Sequence, residues 1–299
     1  MKKNTVLATL AALLAQIIFG FSFMFTKISL RYATPMTVIA DRYIIAFIGL
    51  SVLLIFKKTK LSFTKNIWKL LLMSIFQPVL YFLFETYGIK MTTSAFSSVM
   101  ISLIPVVSMI MGVFFLKEIP SVMQYVFAFL SVCGVAIMAL SGNADGSVTP
   151  FGVLLLFGAV LSSVAYNISS RKISKEFSVM ERTYSMTIIG LLIFMCIAYA
   201  ENIDNPVNII INFKNSSYTY SILYLGLASS VFAFMFLNYA NTYLPVAKTT
   251  VFANITTIVS VFAGAIFIDE KLTLEVLLST LMIVIGVWGV QSISVKKKE

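Results

Sequence analysis

Apolar residues run along the chain in ten stretches, each close to the roughly 20 residues a helix needs to cross a bilayer. The stretches fall near 6–26, 34–56, 67–89, 92–115, 121–141, 150–171, 179–200, 217–240, 244–268 and 273–294, with polar residues gathered between them. The pattern predicts an all-α integral membrane protein of ten transmembrane helices joined by short connections. The longest connection runs from about Glu201 to Ser217 and contains Pro206. Ser141-Gly-Asn-Ala-Asp-Gly-Ser147 is the strongest break near the middle, so two five-span halves are expected, 1–145 and 146–299.

Composition agrees with a bilayer. Of 299 residues, 59% are hydrophobic and 11% charged, whereas soluble domains have about 25% charged residues. The net charge of +10 does not imply a nucleic-acid partner, because that reading needs basic residues interleaved with aromatics on one exposed face. Here Lys and Arg cluster between apolar runs. If both termini are cytoplasmic, the outer connections hold Lys27, Arg31, Lys90, Lys214 and Lys271, and most other Lys and Arg fall inside. That bias sets the expected orientation in a cytoplasmic membrane. The first run follows Lys2 and Lys3, lacks an A-x-A cleavage site and is too long for a signal peptide, so it reads as a retained span.

The chain also repeats itself. Gly112-Val-Phe-Phe-Leu-Lys-Glu118 recurs 152 residues further on as Gly264-Ala-Ile-Phe-Ile-Asp-Glu270. The same ungapped shift lays Phe82, Phe84 and Tyr87 on Phe234, Phe236 and Tyr239. It also lays Gly134-Val135 on Gly286-Val287. Five spans per half is an odd number, so the halves are expected to face opposite ways, with Glu118 cytoplasmic and Glu270 external. Inverted repeats of this kind recur in secondary transporters, with the binding site near the midplane between the halves.

These features resemble the EamA family of the drug/metabolite transporter superfamily. The resemblance is carried by Tyr87, Thr93-Ser-Ala-Phe96, Ile101-Ser-Leu-Ile-Pro105, Gly112 to Glu118 and Gly134-Val135, and it covers about 6–294. One departure is Phe19-Gly-Phe-Ser-Phe23 in the first span, where similar families often carry Trp. The resemblance implies alternating-access transport of amino acids, nucleotide-linked sugars, vitamins or xenobiotics. It also implies a pocket formed by spans one, three, four, six, eight and nine.

Polar side chains inside spans are the candidates for that pocket, since they are costly in lipid and turn to the bundle interior. Gln77 precedes Pro78, which removes a backbone donor and raises local polarity. Gln16 and Asn254 lie at similar depth, and each either lines the cavity or only hydrogen-bonds a neighbouring helix. Lys248 either snorkels to the interface or offers a positive charge to an anionic group. Phe19, Tyr81, Tyr166 and Tyr239 are the candidate aromatic lining. Glu85, Asp41 and Arg42 form a coupling or gating group. Depth allows Arg42 to pair with Glu85, closing the outer side as a gate or only cancelling charge; otherwise Glu85 is the candidate for coupling a proton, a counter-substrate being the alternative. Glu118 and Glu270 read as structural.

With no histidine in the chain, imidazole catalysis and His-ligated metals are excluded. Cys133 and Cys196 read as packing residues, and no cofactor is expected. No Walker A loop occurs, so intrinsic ATP hydrolysis is not expected. The leading expectation is a secondary transporter exporting an amino acid or related small molecule. Uptake of a vitamin or cationic metabolite is the second reading. An integral-membrane enzyme acting on lipid head groups is a third, although it would need clustered reactive groups.

Overall fold

The computed structural model of the chain describes residues 2–57, 61, 66–116, 118–119, 121–144, 147–204, 211–244, 252–293 and 296–297. Among these, eight helices are long and apolar enough to cross a membrane, and two shorter apolar helices follow. The first half holds α1 (Lys2–Ser29), α2 (Pro35–Lys57), α3 (Ile67–Ser74), α4 (Tyr81–Lys90), α5 (Ser94–Ile101), α6 (Ile104–Leu116) and α7 (Val122–Ala144). The second holds α8 (Pro150–Ile173), α9 (Val179–Glu201), α10 (Ser216–Leu223), α11 (Phe234–Tyr243), α12 (Ala253–Phe267) and α13 (Leu274–Ser292). A two-residue antiparallel bridge pairs Glu118–Ile119 with Lys296–Lys297.

Local sequence sets several helix starts. Thr93, Thr149 and Thr273 cap α5, α8 and α13, each accepting a backbone N–H three residues on. Ser178 and Glu181 close a capping box at the start of α9.

Three expected spans are not simple rods. The stretch 92–115 breaks between Ile101 and Ile104, because Pro105 has no N–H to donate to Ile101. The third and eighth spans pass through π-helical stretches, Ile75–Leu80 between α3 and α4 and Tyr224–Ala233 between α10 and α11. The shift that reveals the repeat nearly superposes the two, so the backbone irregularity is duplicated along with the sequence. Of the stretch 244–268, residues 245–251 lie outside the described residues and α12 begins at Ala253.

Packing between the halves is duplicated as well. The fourth helix lies on α8, as α11 lies on α1; α3 lies on α9, as α10 lies on α2; α5 and α6 lie on α8, as α12 lies on α1. Between α7 and α13 the repeated glycines meet the opposite backbone. A Cβ on Gly286 would stand 2.6 Å from Phe127 O, and one on Gly134 would stand 2.9 Å from Ser279 O. Lipid supplies no hydrophobic drive between helices, so such close approach supplies dispersion contact instead.

The second copy of the repeated motif has a definite physical role. At the end of α12, Asp269 adopts a left-handed conformation (φ 57), a turn that commonly ends helices. The chain folds back, and Glu270 N donates to Gly264 O at 3.1 Å. The Glu270 carboxylate then reaches α5 of the other half: Oε1 accepts from Ser94 N at 2.7 Å, and Oε2 from Ser94 Oγ at 2.7 Å and Ala95 N at 3.1 Å. A carboxylate on free N–H groups at a helix start satisfies both hydrogen bonding and the helix dipole. Gly264 lies directly beneath, and a Cβ there would stand 2.6 Å from Glu270 Oε2. The glycine leaves room for the glutamate. Lys27 of α1 donates to Ile89 O at 2.9 Å and also to Thr92 O. Both flanks of the α4–α5 turn are therefore held by charged side chains. The side chain of Glu118, the first copy, lies outside the described residues.

Candidate functional site

Each π-helical stretch contributes to the wall of a cavity of about 50 Å³ within the bundle, lined by residues of both halves. This is room for a few water molecules at ~10–15 Å³ each. Its wall includes a repeat-related pair, Phe82 and Phe234, whose rings lie 6.1 Å apart at 81°. Phe19 of α1 meets Phe234 edge-on at 5.2 Å and also lines the wall.

Pro78 places Gln77. The residue before a proline is pushed out of the helical region, and Gln77 has φ −148 and ψ 116, with a cis peptide to Pro78. This interrupts the helix and sets Gln77 in the cavity wall. It is 5% exposed, and its Oε1 is buried without a hydrogen-bond partner. The repeat shift maps Gln77 onto Ser229, in the other π-helical stretch and also in the wall.

Arg42 enters from α2. Its Nε donates to Ser230 Oγ at 2.6 Å and its Nη2 to Ser229 Oγ at 2.7 Å. The guanidinium carbon stands 4.0 Å over the Phe82 ring, a favourable place for a cation. Glu85 sits one turn beyond Tyr81, whose hydroxyl donates to Glu85 Oε1 at 3.0 Å. Its Oε2 is buried without a partner, and the residue is 5% exposed.

The direct Arg42–Glu85 ion pair expected from their depth does not form. Arg42 is drawn instead onto the two serine hydroxyls and the Phe82 face, and among the described residues the ion pair is Lys69 with Glu176, at 2.5 Å. Both groups are buried in one cavity wall, and neither is neutralised by contact with the other.

The other expected site residues divide. Gln16, Phe19, Gln77, Tyr81, Arg42 and Glu85 all face this cavity. The Gln16 side chain accepts from Thr256 Oγ1 at 2.7 Å, tying α1 to α12. Asn254 is not in the wall, although Ala253 and Thr256 of the same helix are. It is 8% exposed, with Oδ1 unpartnered. Tyr166 lies one layer back, its hydroxyl donating to Asn238 Oδ1 at 3.0 Å and its ring meeting Phe234 edge-on. The Tyr239 ring lies 4.8 Å from that of Tyr243, tilted by 54°, and packs against Ala8, Ala12, Ala240 and Leu244. Asp41 is buried behind the wall. Its Oδ2 accepts from Tyr218 OH at 2.5 Å, and its Oδ1 has no partner. Lys248 lies outside the described residues.

Two features escaped the sequence reading. Ser229 and Ser230 looked like ordinary small residues in an apolar run, and the repeat register with Gln77 was the signal available. Arg182, counted among cytoplasmic charges, is wholly buried. It donates to Ser170 Oγ at 2.8 Å, Asn238 O at 3.0 Å and Thr242 Oγ1 at 2.5 Å. Arg171 adds Asn241 O at 2.8 Å and Thr242 O. The two carbonyls that Arg171 takes are among the last of α11, where positive charge is favourable.

Apolar helices surrounding a charged and amide-lined cavity, with both halves in its wall, define an integral membrane protein of the transporter type. The profile of the EamA-like transporter family matches residues 6–140 and again 150–291. The chain belongs to that family. It is 32% identical over 295 residues to the uncharacterized transporter YcxC of Bacillus subtilis (strain 168), covering 97% of this chain and 94% of the other. An uncharacterized transporter of Archaeoglobus fulgidus is 24% identical over 291 residues, covering 96% and 98%. A solved crystal structure superposes with a TM-score of 0.69 at 16% identity, over 95% of this chain and 98% of its own, a likeness of fold alone.

Proposed function

We propose that the chain is a secondary transporter exporting an amino acid or related small metabolite across the cytoplasmic membrane by alternating access. In this reading the chain spans ten times, as inverted halves over 1–145 and 146–299, with both termini cytoplasmic. The observation that carries the proposal is the cavity itself. It is walled by both halves and holds a buried cation and a buried carboxylate that do not pair with each other. Isolated charge in a membrane interior is costly and marks a pathway for a polar solute. The helix contacts that come in repeat-related pairs are those expected of two like halves, and an odd number of spans in each half would turn one over. Glu85 and Asp41, each with an unpartnered carboxylate oxygen, are the groups proposed to carry a coupled proton. The choice of amino acids, and of export, rests on the family resemblance.

Proteoliposomes containing the purified chain and a broad metabolite panel test this directly. Saturable movement of one compound class, lost in Arg42→Ala, is expected. No movement of any compound would refute transport. Reporters after Glu299 and within the 142–147 connection are expected on opposite sides, and finding both on one side would refute the inverted halves.

A further inference from the structure

The cavity wall contains more hydrogen-bond acceptors than it uses. Glu85 Oε2 and Gln77 Oε1 are both buried without partners, and both residues line the same cavity at 5% exposure. An unsatisfied buried acceptor is costly, more so when charged, and these two share a need for N–H donors. Arg42, in the same cavity wall, has the converse property. A guanidinium has five N–H donors; Ser229 and Ser230 engage Nε and Nη2, and no carboxylate among the described residues pairs with it. The serines and the Phe82 ring fix its orientation, which leaves donor capacity for an anionic group.

We propose that the cavity binds a small zwitterion in one orientation, its ammonium group on Glu85 Oε2 and Gln77 Oε1 and its carboxylate on Arg42. The assignment rests on the cavity being the transport site and adds the subsite for each end. An ammonium presents three donors in a compact head, which suits two acceptors of different kinds. Tyr81 lines the same cavity, and its hydroxyl already donates to Glu85 Oε1, which leaves Oε2 for the ammonium. A zwitterion brings no net charge into the bilayer interior, whereas a simple cation or anion would neutralise one wall charge and leave the other. The present volume of about 50 Å³ would admit little beyond this charged head, so longer side chains require the halves to part.

The test is binding, measured separately from transport. Purified full-length protein in nanodiscs is titrated with free alanine, leucine, lysine and glutamate, and the melting temperature is followed. Each amino acid is compared with its N-acetyl derivative, which lacks the ammonium, and its amide, which lacks the carboxylate. At least one free amino acid is expected to give a saturable shift. Its two derivatives should need about tenfold or more concentration, the cost of losing one charge-assisted contact. Equal shifts by the N-acetyl or amide compound, or no shift by any free amino acid, would overturn the assignment. These comparisons use the unaltered protein, so a variant that fails to fold does not blunt them. Glu85→Gln, where folded, should weaken the free amino acid and its amide, which both carry the ammonium, and leave the N-acetyl compound little changed. Amino acids that bind in this pattern but do not cross proteoliposomes would refute transport and leave the subsites standing. Movement of compounds lacking an ammonium group, together with equal binding of N-acetyl forms, would do the reverse.

Discussion

Gly264→Ala is a one-carbon change with a calculable consequence far along the chain. The added Cβ would stand 2.6 Å from Glu270 Oε2 and 2.8 Å from Ser94 Oγ, and the carboxylate is the mobile party. Moving it off α5 removes its bonds to Ser94 N, Ala95 N and Ser94 Oγ. Losing an N-terminal cap costs ~0.5–2 kcal/mol, and losing a partly buried charge at the helix dipole costs up to ~2 kcal/mol more. A total of about 1–4 kcal/mol follows for Gly264→Ala. Glu270→Ala should cost a similar amount. Ser94→Ala, which keeps both backbone bonds, should cost about 1 kcal/mol.

Equilibrium unfolding in mild detergent, followed by far-UV circular dichroism, measures these differences. The decisive comparison is the double variant Gly264→Ala with Glu270→Ala. Both changes remove the same bonds, so the double should be little worse than either single. Additive losses, or a neutral Gly264→Ala beside a damaging Glu270→Ala, would refute the view that glycine is present to seat the glutamate.

Three further outcomes are expected. In a background without Cys133 and Cys196, cysteines at Gln77 and Gln16 should react with a small hydrophilic thiol reagent and be protected by substrate, while one at Asn254 should react least. Preferential labelling at Asn254 would move the pathway to the other face of α12. Arg182→Lys should destabilise by roughly 2 kcal/mol or more in the same unfolding assay, since an ammonium cannot span Ser170, Asn238 and Thr242 as the planar fork does; an unchanged midpoint would contradict that role. At Glu176, in the α8–α9 connection, hydrogen bonds from Lys69 and Asn66 hold the carboxyl below its ordinary value. The stability it adds is fully present above the unfolded pKa of about 4.3 and lost as pH falls through the lower folded value. Glu176→Gln should therefore narrow the gap to the unaltered protein below about pH 4.3, and a gap that widens on acidification would reverse the sign.

The architecture was readable because its causes are written along the chain. Helices in lipid must be about 20 apolar residues long, and duplication leaves matching glycines and acids at a fixed shift. The motif ending in Glu270 reads as structural from sequence, but its partner does not, since Ser94 belongs to the other half and only the folded chain brings α5 to α12. The cavity followed the same division. Gln77 was marked by its neighbour Pro78, a local signal. The absence of an Arg42–Glu85 ion pair was not, because it depends on Ser229 and Ser230 lying nearly two hundred residues away. Depth along a helix ranks which groups share a layer; it does not fix the direction in which a side chain turns within that layer. Asn254 and Tyr239 show this limit: both have depth or register suited to the cavity, and both stand outside its wall. A second use of the repeat would have gone further. Carried across the shift, Gln77 points to Ser229 and Phe82 to Phe234, and all four line the cavity. In a duplicated fold, a polar residue at a helix break therefore marks two positions, its own and that of its mate.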